Sequence, residues 1–168
     1  MDKRMFYLWG LVIISLASVL GVFIWLPPIA QTVAYHQFAD ERSFLSISHF
    51  WNVVSNLMFA VSGAVGVWVV RGGDTAFAPE LRVAYRVFFV GVMLVAVGSA
   101  YYHWAPDNAT LVWDRLPMTV AFMALFAIVI GEHISPSAGA KLLVPLISSG
   151  VAAVAYWAFS ERSGHGDL

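Results

Sequence analysis

A serine, a histidine and an aspartate lie close together in the segment GSAYYHWAPDNATLVWDRLPM, residues 98–118. Ser99 and His103 are four residues apart, so a helix would place both on one face. Asp114 precedes Leu116-Pro117, where a new helix can begin. A neutral imidazole is a good zinc ligand, and a nearby carboxylate can orient it or take a proton from bound water. A serine hydroxyl can donate to a developing oxyanion, so this segment is the first candidate for a hydrolytic site.

Each of the three side chains also has a purely structural interpretation. Ser99 can bond back to the carbonyl of Val95, and His103 can lie at the headgroup level of a bilayer. Asp114 can cap the N-terminus of a helix or interact with its dipole. A Ser-x3-His pair is common by chance and one histidine does not make a metal site. The residues taken alone therefore favour the structural roles.

The composition indicates a membrane protein. The 168 residues are 60% hydrophobic and 11% charged, with a mean hydropathy of +0.77, whereas soluble domains average about 45–50% apolar and about 25% charged residues. A net charge of −1 argues against a nucleic-acid partner. The absence of cysteine excludes disulfides and thiolate metal sites. Any metal must therefore be held by histidine, carboxylate or carbonyl oxygen.

Five apolar segments are long enough for membrane helices, since a bilayer core of about 30 Å takes roughly 20 helical residues. The predicted fold is an all-α, polytopic transmembrane bundle in a single domain, with helices at residues 5–30, 50–70, 83–102, 116–134 and 142–160. Trp9 and Trp25 are spaced to match the two aromatic belts of a membrane. The first apolar run exceeds the roughly 7–15 residues of a signal-peptide core, so we expect a retained helix.

The distribution of Lys and Arg predicts a cytoplasmic N-terminus, because cytoplasmic loops carry an excess of these residues. That side of the bundle would hold Lys3, Arg4, Arg71, Arg82 and Lys141, and the other side Arg42, Arg115 and Arg162. His103 and Asp114 would then lie near the exterior face. The polar stretch of residues 35–49 is expected to fold over that outer mouth.

Two further polar groups lie at or before the start of the second predicted helix. For Asn52, Ser55 and Asn56, hydrogen bonds between helices are favoured over direct catalysis and would support the site. Asp40, in the cluster Asp40-Glu41-Arg42, is a candidate ligand for a hard cation such as calcium, although such clusters are more often solvated and self-paired. No remaining histidine is spaced with another as two ligands on one helix face; these are His36, His49, His133 and His165.

Two sequence blocks carry a resemblance: FWNVVSN at residues 50–56, and GS-x3-H with D-x-LPM at residues 98–118. Together they resemble the FWN-x-VSN and GS-x3-H…D-x-LPM motifs of the alkaline ceramidase family, which are integral-membrane amidases. The resemblance runs from about Phe38 to Thr119. The serine, histidine and aspartate alone are shared with a wider seven-helix group that includes haemolysin III-like and progestin/adiponectin-receptor-like proteins.

The resemblance implies a zinc-dependent hydrolase that cleaves ceramide or a related N-acyl lipid into a sphingoid base and a fatty acid. His103 would be one of three histidine ligands to zinc, Asp114 would position or deprotonate the metal-bound water, and Ser99 would polarise the amide carbonyl. The family also has a calcium site before the FWN helix. Asp40 is the nearest candidate for it, and His49 stands where some members have a carboxylate.

Three departures from the family pattern bear on these expectations. Arg115 follows the aspartate where many eukaryotic members have glutamate, and an extra helix precedes the FWN block. The sequence also lacks the H-x3-H pair that supplies the other two zinc ligands. We therefore expect either a fragment of a seven- or eight-helix fold or a member without the metal. The alternatives are a non-catalytic membrane protein that binds lipid or partners, and another lipid hydrolase or receptor-like member of the wider group.

Overall fold

The computed structural model describes residues 3–27, 29–72 and 77–164 and is all-α. The helices are α1 (Lys3–Trp25), α2 (Phe50–Ser55), α3 (Leu57–Arg71), α4 (Arg82–Trp104), α5 (Asn108–His133) and α6 (Pro136–Arg162), with short 3-10 turns at Val33–His36 and Pro79–Leu81. Four helical segments are long and apolar enough to cross a membrane: Phe50–Arg71, Pro79–Trp104, Asn108–His133 and Pro136–Arg162. The predicted multi-pass integral membrane protein is confirmed.

The first predicted membrane helix differs from the other four. Within α1, the structure describes the apolar stretch Ile13–Val22, so the described residues contain four of the five predicted spans. The helix ends at Trp25, before the predicted end at residue 30. Pro27 explains this end, because proline disfavours helical backbone at the residue before it and has no N–H to donate.

The chain divides into two compact units. Residues 32–159 form the larger unit, which contains α2 to α5 and most of α6. The other unit contains α1 and the residues from Ser160 onward, and within it the Gln31 backbone N–H donates to Glu161 Oε1 at 2.7 Å. All candidate site residues that the structure describes lie in the larger unit.

Helix α5 starts at Asn108, well before the predicted residue 116. Asp114 is therefore not the N-terminal cap that was considered for it. Asp107 is the N-cap: its side chain accepts a hydrogen bond from the Thr110 backbone N–H at 2.6 Å, and Thr110 Oγ1 accepts from the Asp107 N–H at 3.0 Å. This reciprocal pair satisfies two N–H groups that a helix start leaves free. Asp114 is therefore inside the helix, and Pro117 is an interior proline instead of the first helical residue.

Small residues bring the helices of the larger unit close together. A core cluster joins α4, α5 and α6 through Ala84, Ala124, Ala127, Ile128 and Leu143. Large apolar side chains such as Trp68, Phe122 and Val144 are exposed on the outside. Small residues inside and large apolar residues outside are the arrangement expected for helices surrounded by lipid, where close backbone packing drives association.

Candidate active site

The end of α4 carries the serine and histidine that the sequence singled out. Ser99 is buried and His103 is half-buried. Both lie in one uninterrupted helix, Arg82–Trp104, so their four-residue spacing places them on the same face. This face points away from the exposed positions Val97 and Tyr101 of the same helix turns.

Asp114 of α5 lies near His103 of α4. The His103 ring is close enough to the Asp114 carboxylate for an electrostatic interaction. His103 Nδ1 and Asp114 Oδ1 are both buried, and neither has a hydrogen-bond partner among the residues that the structure describes. A buried polar atom without a partner costs about 1–3 kcal/mol, so such atoms are rare in native proteins outside functional sites. The pair is thus the part of the site that most needs a ligand, a water or an ion.

Gly98 and Pro117 explain why the two helices approach closely at this point. A Cβ atom at Gly98 would overlap the carbonyl oxygen of Trp113 and would lie 3.2 Å from Pro117 Cγ. Pro117 has no N–H to donate to that carbonyl one turn earlier in α5. Helix α4 therefore packs against a carbonyl without its usual helical donor. Gly98 of the GS-x3-H motif and Pro117 of the D-x-LPM motif therefore lie at the same contact between the helices.

The segment of residues 33–49, here called the strap, folds against the end of α4 and the start of α5. The polar stretch 35–49 was expected to fold over this part of the bundle. His36 Nε2 lies 2.8 Å from Asn108 Oδ1, and His36 Nδ1 lies 2.9 Å from the Tyr102 hydroxyl. An amide oxygen only accepts, so Nε2 donates to Asn108, and in the neutral ring Nδ1 accepts from Tyr102. One histidine of the strap therefore joins the end of α4 to the start of α5.

Phe38 of the strap lies over His103. The two ring centroids are 4.6 Å apart, and the Phe38 ring also makes edge contacts with Tyr102 at 5.6 Å and His49 at 5.3 Å. Phe38 thus contacts both imidazoles. No local motif in the sequence predicted this role, because the contact joins residues far apart in the chain.

His49 is the second residue that sequence reasoning did not assign to the site. It interacts electrostatically with His103, and its buried Nδ1 lacks a hydrogen-bond partner within the described ranges. Its backbone is left-handed, with φ 49° and ψ 47°. This conformation is strained for a residue with a Cβ atom, and such strained residues tend to occur at functional sites. The position of His49 directly before the FWN motif was the signal that could have marked it.

Asp40 supports the start of α2. Its Oδ2 accepts from the Trp51 backbone N–H at 3.0 Å, and its Oδ1 accepts from Arg42 Nε at 2.6 Å. The hydrogen bond from Arg42 lowers the pKa of Asp40, and the bond from Trp51 lowers it further. Arg42 therefore occupies the place on Oδ1 where a cation would bind, as in the self-paired interpretation of this acidic and basic cluster.

The hydrogen bonds of the polar group on α2 are local. Ser55 Oγ donates to the Asn52 carbonyl at 3.1 Å, and Asn56 Nδ2 donates to the same carbonyl at 2.7 Å. These bonds stay within the helix where hydrogen bonds between helices were expected. They lie at the break between α2 and α3, at Asn56, where the buried Asn56 amide pairs with carbonyl groups of the preceding turn.

The described residues do not assemble a metal site. Among residues 3–27, 29–72 and 77–164, no group of three or more His, Cys, Asp or Glu side chains is placed to hold a metal ion. The zinc site that the resemblance implies therefore does not fit these residues by themselves, because they bring one carboxylate and two separated imidazoles to the site. His165 lies outside the described residues.

Comparison with known proteins gives the family. The chain is similar to the Dictyostelium discoideum protein named "Putative alkaline ceramidase dcd3A", with 28% identity over 52% of this chain and 34% of that protein. It thus spans about a third of the length of that relative. No solved structure matches the chain. The family model Ceramidase matches residues 43–163, which include both sequence motifs and the residues Ser99, His103 and Asp114. The chain belongs to the ceramidase family.

Proposed function

We propose that this chain forms part of a membrane amidase that hydrolyses ceramide or a related N-acyl lipid. Membership of the ceramidase family supports this reaction class. The observation that carries the proposal is the electrostatic interaction between His103 and Asp114, each with a buried atom that lacks a partner in the described part of the chain. A carboxylate and an imidazole at the end of a membrane helix are placed to act on a lipid whose amide lies at the polar boundary.

The proposed roles follow from the chemistry of amide hydrolysis. Water adds to the carbonyl carbon while a base takes its proton, and the leaving amine then needs a proton. Asp114 is the proposed base and can return that proton to the amine. Ser99 is the proposed donor to the carbonyl oxygen, where negative charge develops. His103 is proposed to bind beside the water and orient it. Zinc at His103 remains a prediction, since the described residues lack the other ligands.

An apolar groove lies on the outer faces of α4 and α5 and is lined by Leu94, Val97, Trp113 and Val120, among others. Val97 and Tyr101 of this groove lie on the opposite side of α4 from Ser99 and His103. The groove is therefore proposed to hold an acyl chain outside the site, and the amide would reach the site from the helix ends. Polar groups at membrane depth are tolerated where they line a cavity or are covered by protein, which fits an amide held at the polar mouth with its chains in the bilayer.

The decisive test is the release of fatty acid and sphingoid base from ceramide by the purified protein in nanodiscs, measured by mass spectrometry. His103→Ala and Asp114→Asn should each lower the rate by about 100-fold or more, because a positioned acid or base contributes typically 10²–10⁴. His133→Ala is the matched control, since His133 is an exposed histidine at the other end of α5. Full turnover by His103→Ala would remove the assignment, and zinc content is measured on the same samples.

A non-catalytic lipid-binding role is the second candidate, favoured by the lack of a metal-binding cluster within the described ranges. It predicts that a photoreactive ceramide labels the protein while no amide is cleaved. A panel of N-acyl lipids and esters in the same assay separates both candidates from a hydrolase with another lipid substrate.

A further inference from the structure

A small hairpin in the strap presents apolar side chains to the outside. The hairpin comprises residues 42–49, and its turn is closed by the mutual backbone hydrogen bonds of Phe44 and Ile47, at 3.2 and 2.9 Å. At the tip, Phe44 is 60% exposed and Leu45 is 75% exposed. Exposed apolar residues next to one another usually mark a surface that is covered by a partner or by lipid.

The turn presents Leu45 to the outside in a backbone conformation that is unfavourable for leucine. Leu45 and Ser46 both have left-handed backbone, with φ of 51° and 63°. Two successive residues of this kind make the hairpin turn that normally takes Asn-Gly or Gly-Gly, because a Cβ is disfavoured there. A polar, small pair would relieve this strain. The presence of leucine therefore indicates that an apolar side chain is needed at the tip.

The surface of the hairpin continues into a membrane-spanning helix. A cleft of about 600 Å³ is lined by Arg42, Ser43, Phe44, Phe50 and Trp51, and the last two are the first residues of the span Phe50–Arg71. Trp51 is 56% exposed, and Met58 one heptad later is 68% exposed. Residues seven apart share a helix face, so the outward face of the span leads directly to the hairpin.

We infer that the hairpin is a membrane-interface anchor whose partner is the bilayer itself. Phe44 and Leu45 reach below the headgroups, while Trp51 and Arg42 lie at headgroup level, where aromatic and long basic side chains are favoured. The continuity of the cleft with the span Phe50–Arg71 selects lipid over a protein partner. This inference does not depend on the proposed hydrolysis, since it concerns only where the tip resides.

The test uses the absence of cysteine in the sequence. A nitroxide is attached to Leu45→Cys in phosphatidylcholine and phosphatidylglycerol nanodiscs, and its collisions with oxygen and with a water-soluble nickel chelate are measured by EPR. The matched control is Gln37→Cys, an exposed polar position in the same strap. We expect the label at residue 45 to favour oxygen over nickel several-fold more than the label at residue 37.

Two results would overturn the inference. Equal nickel access at residues 45 and 37 would place the tip in water, and low access to both reagents would mean that protein covers it. If the cysteine variant fails to fold, p-benzoylphenylalanine at Phe44 replaces one aromatic side chain with another. Light should then cross-link that residue to lipid, whereas a cross-linked dimer would assign the surface to a second copy of the chain.

Discussion

At the scale of single residues, the site is defined by which polar atoms are satisfied and which are not. In the strap, both carboxylate oxygens of Asp40 and both ring nitrogens of His36 have hydrogen-bond partners. His103 and Asp114 each keep a buried atom without a partner within the residues described. Asp40 and His36 therefore have the hydrogen-bonding pattern of structural groups, whereas His103 and Asp114, like His49 of the strap, have a buried atom that is available to a ligand.

Asp40 should make the attachment of the strap dependent on pH. Its pKa is lowered in the folded chain, mainly by the hydrogen bond from Arg42, so its stabilising effect is present above its unfolded pKa of about 3.9. The effect is lost as the pH falls through the lower folded value. Wild type should therefore melt at a higher temperature than Asp40→Asn at pH 7, and the difference should shrink as the pH falls below the unfolded pKa and through the folded one. A difference in melting temperature that stays constant over this range would contradict the role.

Phe38→Ala should uncover His103. The Phe38 ring centroid lies 4.6 Å from that of His103, so its removal opens one face of the imidazole. We expect diethyl pyrocarbonate to modify His103 several-fold faster in the variant, as measured by peptide mass spectrometry. Phe77→Ala is the control, because Phe77 stacks on Tyr85 at 4.2 Å, away from the site. An unchanged rate for Phe38→Ala would show that other groups cover the histidine.

At the scale of helices, sequence reasoning succeeded where length and hydrophobicity decide and failed where local turn chemistry competes. The predicted span 83–102 falls within α4 because an apolar run has few other structures available in lipid. The start of α5 was misplaced because both Asp107 and Leu116-Pro117 are valid helix starts in sequence. The Asp107–Thr110 capping pair prevails, and a membrane helix tolerates Pro117 in its interior.

The residues of the site also divide into those that the sequence could predict and those that it could not. His103 and Asp114 could be selected from the sequence, because both lie in short motifs on neighbouring helices. Phe38 could not, since its contact with His103 depends on how the strap folds back. The signal for His49 was its position directly before the FWN motif. The strap has no apolar periodicity that would fix its path. Its position follows from His36, which needs both Tyr102 and Asn108 as partners.

Gly98→Ala should weaken the packing of α4 on α5. The added methyl group would overlap the Trp113 carbonyl oxygen, and backbone cannot move aside as a side chain can, so we expect a loss of about 1–3 kcal/mol. Chemical unfolding in mixed micelles measures it. Gly10→Ala is the matched control, because a Cβ there meets nothing within 4 Å. Equal stability of the two variants would contradict the proposed close contact.

At the scale of the whole molecule, the four spans found among the described residues and the short connections between them fix which helix ends lie on the same side of the membrane. The end of Pro79–Trp104 and the start of Asn108–His133 share one side, with only Ala105 to Asp107 between them. The strap precedes Phe50 and must lie on that same side. All the site residues therefore face one compartment, whichever one it is.

The charge distribution predicts that this compartment is the exterior. Single cysteines at Ala105 and at Gly72, both exposed, report the two sides, because the chain has no cysteine of its own. In intact cells a membrane-impermeant maleimide should label Ala105→Cys and spare Gly72→Cys, and both should be labelled after permeabilisation. The reverse pattern in intact cells would invert the orientation.

Because His103 and Asp114 have unpaired buried atoms, the melting temperature of the protein should show whether a ligand is bound between them. A buried polar atom without a partner costs about 1–3 kcal/mol, so we expect a compound that pairs with both atoms to stabilise the folded chain. A compound that binds only the folded state raises the melting temperature as its concentration rises. Ligand discovery for this chain can therefore begin from melting curves, before any reaction product has been identified.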